Sequence, residues 1–158
     1  MRHIRNVVLT VVLVSMLIPL PLAAQAKGTI LIASEKTGFK EKLVAELETL
    51  FSDAGYAVVK ARHSKGWLDK YRASDYAAVF ITNSGVNSKV RPWVAEWIEK
   101  NGASNVYILL HTTQIRDWKV ETSVDAVTCA SKKDNVKVLA REYFDRIIER
   151  IETSGSAQ

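Results

Sequence analysis

Residues 28–55, Gly-Thr-Ile-Leu-Ile-Ala-Ser-Glu-Lys-Thr-Gly-Phe-Lys-Glu-Lys-Leu-Val-Ala-Glu-Leu-Glu-Thr-Leu-Phe-Ser-Asp-Ala-Gly, decide the fold. The run Thr29-Ile30-Leu31-Ile32-Ala33 is apolar without alternation, the pattern of a parallel strand covered on both faces. Ser34 to Gly38 then form a polar turn. Beyond it Leu43, Val44, Leu47, Leu50 and Phe51 recur at helical spacing until Asp53-Ala54-Gly55 closes the helix on a glycine. Strand, short turn and amphipathic helix together are the opening unit of a parallel α/β sheet.

The same alternation continues downstream. Tyr56-Ala57-Val58-Val59 reads as a second, shorter strand, and Arg62 to Ser74 as a polar loop with one helical turn around Trp67, Leu68 and Tyr71. Tyr76 to Ile81 is the clearest strand of all, and Thr82-Asn83-Ser84-Gly85 reads as a turn cluster at its end. Val90, Trp93, Val94, Trp97 and Ile98 share one helix face, stopped by Asn101-Gly102, and both tryptophans read as core. Val106 to Leu110 and Val124 to Thr128 give two more strands. A last helix starts near Asp134, with Val138, Leu139, Phe144, Ile147, Ile148 and Ile151 apolar. Right-handed crossovers between such elements give a three-layer α/β/α sandwich around a five-stranded parallel sheet of order 2-1-3-4-5. Gln114, Arg116, Asp117 and Lys119 leave too little apolar surface for a covering helix before the fifth strand, so that crossover reads as a loop or single turn.

Upstream of this domain, Arg2, His3 and Arg5 precede an uncharged apolar run from Val7 to Leu22, broken by Pro19 and Pro21 and followed by Ala24-Gln25-Ala26. That layout predicts a secretory signal peptide cleaved after Ala26, and with it a periplasmic or secreted protein. The run falls short of the roughly twenty residues a spanning helix needs, so no stable membrane insertion is expected after cleavage. The expected organisation is a signal peptide over 1–26, one domain over 27–152 and a flexible tail over 153–158. The chain of 158 residues carries 22 Lys and Arg against 17 Asp and Glu, dispersed along the mature sequence, which argues against nucleic-acid binding. Cys129 is the only cysteine, so no internal disulfide is available; flanked by apolar strand residues, it reads as a small core residue.

In a sheet of this order, ligands bind beyond the carboxyl ends of the strands where the order reverses, between the first and third strands. The loops at that edge are Ser34-Glu35-Lys36-Thr37-Gly38-Phe39-Lys40, Thr82-Asn83-Ser84-Gly85 and His111-Thr112-Thr113. The first sets hydroxyls, backbone amides and a glycine before a helix N-terminus, an arrangement that favours an anion. Strand, this loop, amphipathic helix and a third strand ending in Thr82-Asn83-Ser84-Gly85 resemble flavodoxin over nearly all of residues 28–152. That family holds the phosphate of flavin mononucleotide (FMN) with a Thr/Ser-x-Thr-Gly-x-Thr loop. Thr37 and Gly38 match its centre, Glu35 and Lys40 stand where its outer hydroxyls belong, and Ser34 replaces one hydroxyl if the loop shifts by one position.

The resemblance implies FMN as cofactor, held by Ser34, Lys36, Thr37, Gly38, Phe39, Lys40, Thr82, Asn83, Ser84, Gly85, His111 and Thr112. It further implies electron transfer or flavin-dependent reduction with a redox partner protein. In flavodoxins the flavin ring lies between the second and third loops; the third-strand loop here has no aromatic residue, and Trp67, the nearest, follows strand two. The alternative is a module of this fold without a nucleotide, acting as a binding or structural partner; Glu35, Lys40 and the aromatic-poor loops favour it. Asp125 to Ser131 is similar to the site at which a bacterial extracytoplasmic transferase attaches FMN to a hydroxyl, here Ser131. Cys129 stands where that motif has glycine, and the segment reads first as a strand running into a helix cap. No catalytic triad, nucleophile elbow or metal-ligand spacing is present.

Overall fold

The computed structural model describes residues 26–84, 89–113, 120–129 and 133–155. Residues 1–25 of the expected signal peptide, Gly85, Gln114 to Lys119 and Ser131 lie outside the described residues. The elements run β1 (Thr29–Ser34), α1 (Gly38–Asp53), β2 (Ala57–Arg62), β3 (Ala78–Ser84), α2 (Pro92–Asn101), β4 (Tyr107–Thr113), β5 (Asp125–Cys129) and α3 (Val136–Gly155). All five strands are parallel in the order β2-β1-β3-β4-β5. This is the expected architecture, with three layers around the sheet.

The unalternating run of β1 now has its explanation. Ile30 and Ile32 pack under α1 and α3 with Phe80, Leu109 and Tyr143, while Leu31 and Ala33 face the other core with Ile81, Leu110, Val94 and Trp97. Each large aliphatic or aromatic side chain buried this way contributes about 1.5–3 kcal/mol. Gly55, at φ 87°, closes α1 in a conformation other residues reach with strain. The Gly55 and Tyr56 amides donate to the carbonyls of Ser52 and Phe51, so the chain reverses tightly into β2.

Several boundaries differ from expectation, and all in one direction. β2 extends to Arg62, β3 starts at Ala78 and runs on through Ser84, and β4 runs on through Thr113. Thr82, Asn83 and Ser84, read as a turn, and His111, Thr112 and Thr113, read as a loop, are therefore strand residues. Pairing with neighbouring strands overrides their turn propensity, because Thr82, Asn83 and Ser84 sit in register with His111, Thr112 and Thr113. The crossover from β2 to β3 holds two 3-10 turns, Leu68–Lys70 and Ala73–Asp75, rather than one. Leu68 and Ala73 are buried there, and Trp97 Nε1 donates to the Tyr71 carbonyl at 2.9 Å, so a mostly polar segment still roofs one face of the sheet. Of the two tryptophans, only Trp97 is core; Trp93 is half-buried. Val138, expected on the apolar face of the last helix, is exposed, and α3 continues through residues 153–155 of the expected tail.

Candidate functional site

The carboxyl ends of β1, β2 and β3 open on a cleft of about 970 Å³ that α2 borders. Its floor begins with the turn 35–37, which delivers the chain into α1. Thr37 caps that helix, its hydroxyl accepting from the Lys40 amide at 3.4 Å. A β-carbon on Gly38 would meet nothing within 4 Å, so no neighbouring protein atom requires glycine there.

Glu35 is the centre of the loop. Its side chain is only 12% exposed and forms an ion pair with Lys40, which is 1% exposed. The Ser84 hydroxyl donates to Glu35 Oε2 at 2.7 Å while accepting from Lys40 Nζ at 2.7 Å. Arg91 Nε donates to Glu35 Oε1 at 2.7 Å. The backbone is held as firmly: the Glu35 amide donates to Thr82 Oγ1 at 3.0 Å, Thr82 in turn to Ser34 Oγ at 3.2 Å, and Ser34 to the Glu35 carbonyl at 3.2 Å. Burial alone would raise the Glu35 pKa. The hydrogen bonds from Lys40 and Ser84, the Lys40 charge and the Arg91 hydrogen bond outweigh it and hold the carboxyl at about 2. Lys40 is pushed below its ordinary range by burial and, less, by Arg91, with Glu35 pulling back.

Asn83 faces the opposite side of the sheet. Its side chain accepts from the Arg91 amide at 3.0 Å and donates to the Lys89 carbonyl at 3.4 Å, so it brackets the stretch from Lys89 to Arg91 and sets Arg91 at the lip of the cleft. The remaining walls are cationic and aromatic: Lys36, Lys60, Arg62, His63 and Trp93. Lys60 is paired with Glu48 at 2.8 Å, and Arg62 lies 5.0 Å from the Trp67 ring centre. Among the described residues neither Lys36 nor Arg62 has an ion-pair partner, whereas Glu35, the one acid lining the cleft, has two. His63 packs edge-on to Trp93 at 6.3 Å. Among the described residues the nitrogens of its ring and Trp93 Nε1 have no side-chain hydrogen-bond partner, though backbone groups of His63 and Thr82 face the imidazole. Burial lowers the His63 pKa.

A separate polar cluster lies deeper, under β4. His111 Nδ1 is 2.9 Å from Tyr143 Oη, with Cys129 Sγ 3.8 Å from the same nitrogen and 3.7 Å from the hydroxyl. The Phe39 ring stacks on the imidazole at 6.0 Å. Burial, with the Lys40 charge adding to it, lowers the His111 pKa to about 4, so the ring is neutral. Burial likewise raises Tyr143 and Cys129, which keep their protons. Among the described residues His111 Nε2 and Thr112 Oγ1 have no partner. Burial thus favours the thiol and the neutral imidazole over a preformed thiolate–imidazolium pair.

The predicted site residues thus divide. Ser34, Lys36, Thr37 and Ser84 line the cleft; Phe39, Lys40, Thr82, Asn83, His111 and Thr112 are buried beneath the edge, and Gly38 is exposed. Arg62, His63, Arg91 and Trp93 were not singled out from the sequence. A signal did exist for the central pair, since Glu35 and Lys40 depart from the flavodoxin loop with opposite charges. The residues present do not fit a flavin phosphate on this loop: it would face the Glu35 carboxylate, and Lys40, Ser84 and Arg91 already donate to that carboxylate.

No protein-family model and no curated protein sequence matches the chain. Solved structures do match its backbone. A flavodiiron core from Synechocystis is 12% identical with a TM-score of 0.56, over 85% of this chain and 38% of that one. The flavodiiron protein of Giardia intestinalis is 12% identical with a TM-score of 0.56, over 80% and 37%. A flavodoxin from the Archaea is 12% identical with a TM-score of 0.53, over 78% of this chain and 99% of its own. The chain spans little more than a third of the two flavodiiron proteins and nearly the whole of the flavodoxin. Strand order, crossovers and these likenesses together give the protein a flavodoxin-like fold.

Proposed function

We propose that this chain is an exported flavodoxin-fold binding module that receives an anionic ligand in the cleft over β1, β2 and β3, without a flavin phosphate on its first loop. The charge of the cleft carries this reading: among the described residues Lys36 and Arg62 have no ion-pair partner, beside a glutamate already neutralised by Lys40 and Arg91. A concavity whose unpaired charges are all of one sign concentrates ions of the other. The basic, apolar and small-residue layout of residues 1–26 supports export. Among the described residues no helix is long and apolar enough to cross a membrane.

The second reading is an FMN-dependent electron carrier or reductase working with a redox partner protein. The flavodoxin and flavodiiron proteins that share the fold favour it. One experiment separates the two. The purified chain is incubated with FMN and desalted, and its visible absorption is recorded. The module reading expects the flavin to wash away; a retained stoichiometric flavin band overturns it and establishes the redox reading. Inorganic pyrophosphate serves as the positive probe: it should raise the melting temperature of the wild type and not of Arg62→Glu. Equal shifts in both chains, or none in the wild type, overturn the cleft assignment.

A further inference from the structure

We infer that Glu35 is the resident anion of an oxyanion site built into the first loop, and that removing its carboxylate opens that site to an inorganic tetrahedral oxyanion. Three donors from three elements converge on the one carboxylate. They are the Lys40 ammonium from the first turn of α1, the Ser84 hydroxyl at the end of β3, and Arg91 Nε at the entry to α2. Such convergence is what an anion site requires, and the ligand here belongs to the chain itself. The Lys40 side chain is almost wholly buried and has Glu35 as its ion-pair partner, so the site tolerates an alternative anion far better than a vacancy.

In the wild type an external phosphate would have to displace a tethered carboxylate, whose effective concentration is that of an intramolecular group. This closure accounts for the mismatch with a flavin phosphate through one residue. It also makes the loop a latent site, because Lys40, Ser84, Arg91 and the Thr37 cap are all in place. Phosphate and sulfate carry the charge of the missing carboxylate and more acceptor oxygens, so either can take the same three donors.

The test is chemical rescue, read by thermal unfolding in sodium chloride, sodium sulfate and sodium phosphate at equal ionic strength. Glu35→Ala should melt well below the wild type in chloride and recover by about 3 °C or more in phosphate, in a saturable manner. Glu35→Ala/Lys40→Met should lose that recovery. Sulfate and phosphate stabilise proteins generally by exclusion from their surface, and anions bound near Arg62 add a shift of their own. Both contributions are common to the single and double variants, so the Lys40-dependent difference isolates this site, and its failure is distinguishable from failure of the cleft reading. Equal recovery with and without Lys40, or no recovery beyond the wild-type shift, overturns the inference. Should Glu35→Ala not fold in chloride, refolding becomes the readout: soluble helical protein in phosphate alone supports the site, and recovery in neither salt overturns it.

Discussion

The carboxyl ends of β1 and β4 lie in the same sheet, bury polar groups to a similar depth and treat them differently. At β1 the buried polar groups include ions, and these are matched: Glu35 against Lys40 and Arg91, with Ser84 donating to it. At β4 the buried polar groups are neutral, and two of them, His111 Nε2 and Thr112 Oγ1, have no partner among the described residues. The contrast follows from the cost of desolvation, which is several kcal/mol for an ion and about 1–3 kcal/mol for a neutral group left unpaired. A fold can carry an orphaned imidazole nitrogen. It carries a buried lysine only with its counter-ion, so the β1 end is rigidly specified while the β4 end tolerates imperfect pairing.

The sharpest way to break this contrast is to strand the ion. Glu35→Ala should cost about 3–5 kcal/mol in urea unfolding, and Glu35→Leu/Lys40→Met much less than the sum of its single changes. Additive costs would mean that the two side chains are not energetically a pair. Acid titration sharpens the comparison next. Between pH 6.5 and about 4 the unfolded chain binds a proton that folded His111 refuses, so stability falls as pH drops through that window, with His63 acting in the same direction. Between pH 4.5 and about 2 the unfolded chain protonates a carboxyl that folded Glu35 keeps ionised, so stability falls again. His111→Gln should flatten the upper limb and Glu35→Gln the lower; a single variant that flattens both would merge the two regions. The smallest expected effect is that of Tyr143→Phe, about 1 kcal/mol, from the lost hydrogen bond to His111.

The backbone plan was legible because it rests on hydrophobic periodicity. Ile30 to Ala33 alternate between two cores, so their unbroken apolar run announced a central parallel strand, and Leu43, Leu47 and Phe51 announced the helix that covers it. The strand ends were not legible. Thr82, Asn83, Ser84 and His111 have turn or polar character locally, and only pairing between β3 and β4 keeps them extended. The site was legible in part: the first loop was found, with Glu35 and Lys40 marked as departures. Their meaning was hidden, since nothing local says that a glutamate before a helix turns inward. Arg91 and Arg62 escaped notice because each is an ordinary surface cation until β2, α2 and the Asn83 bracket bring it to the cleft.

That bracket has a mechanical consequence. Asn83 grips the Lys89 carbonyl and the Arg91 amide from the end of β3, so Arg91 is anchored through its backbone as well as through its side chain's ion pair with Glu35. Arg91 is thus a rivet that joins β3, the first loop and the start of α2 at the rim of the cleft, and a change at Asn83 would loosen the aim of its guanidinium without altering a charge.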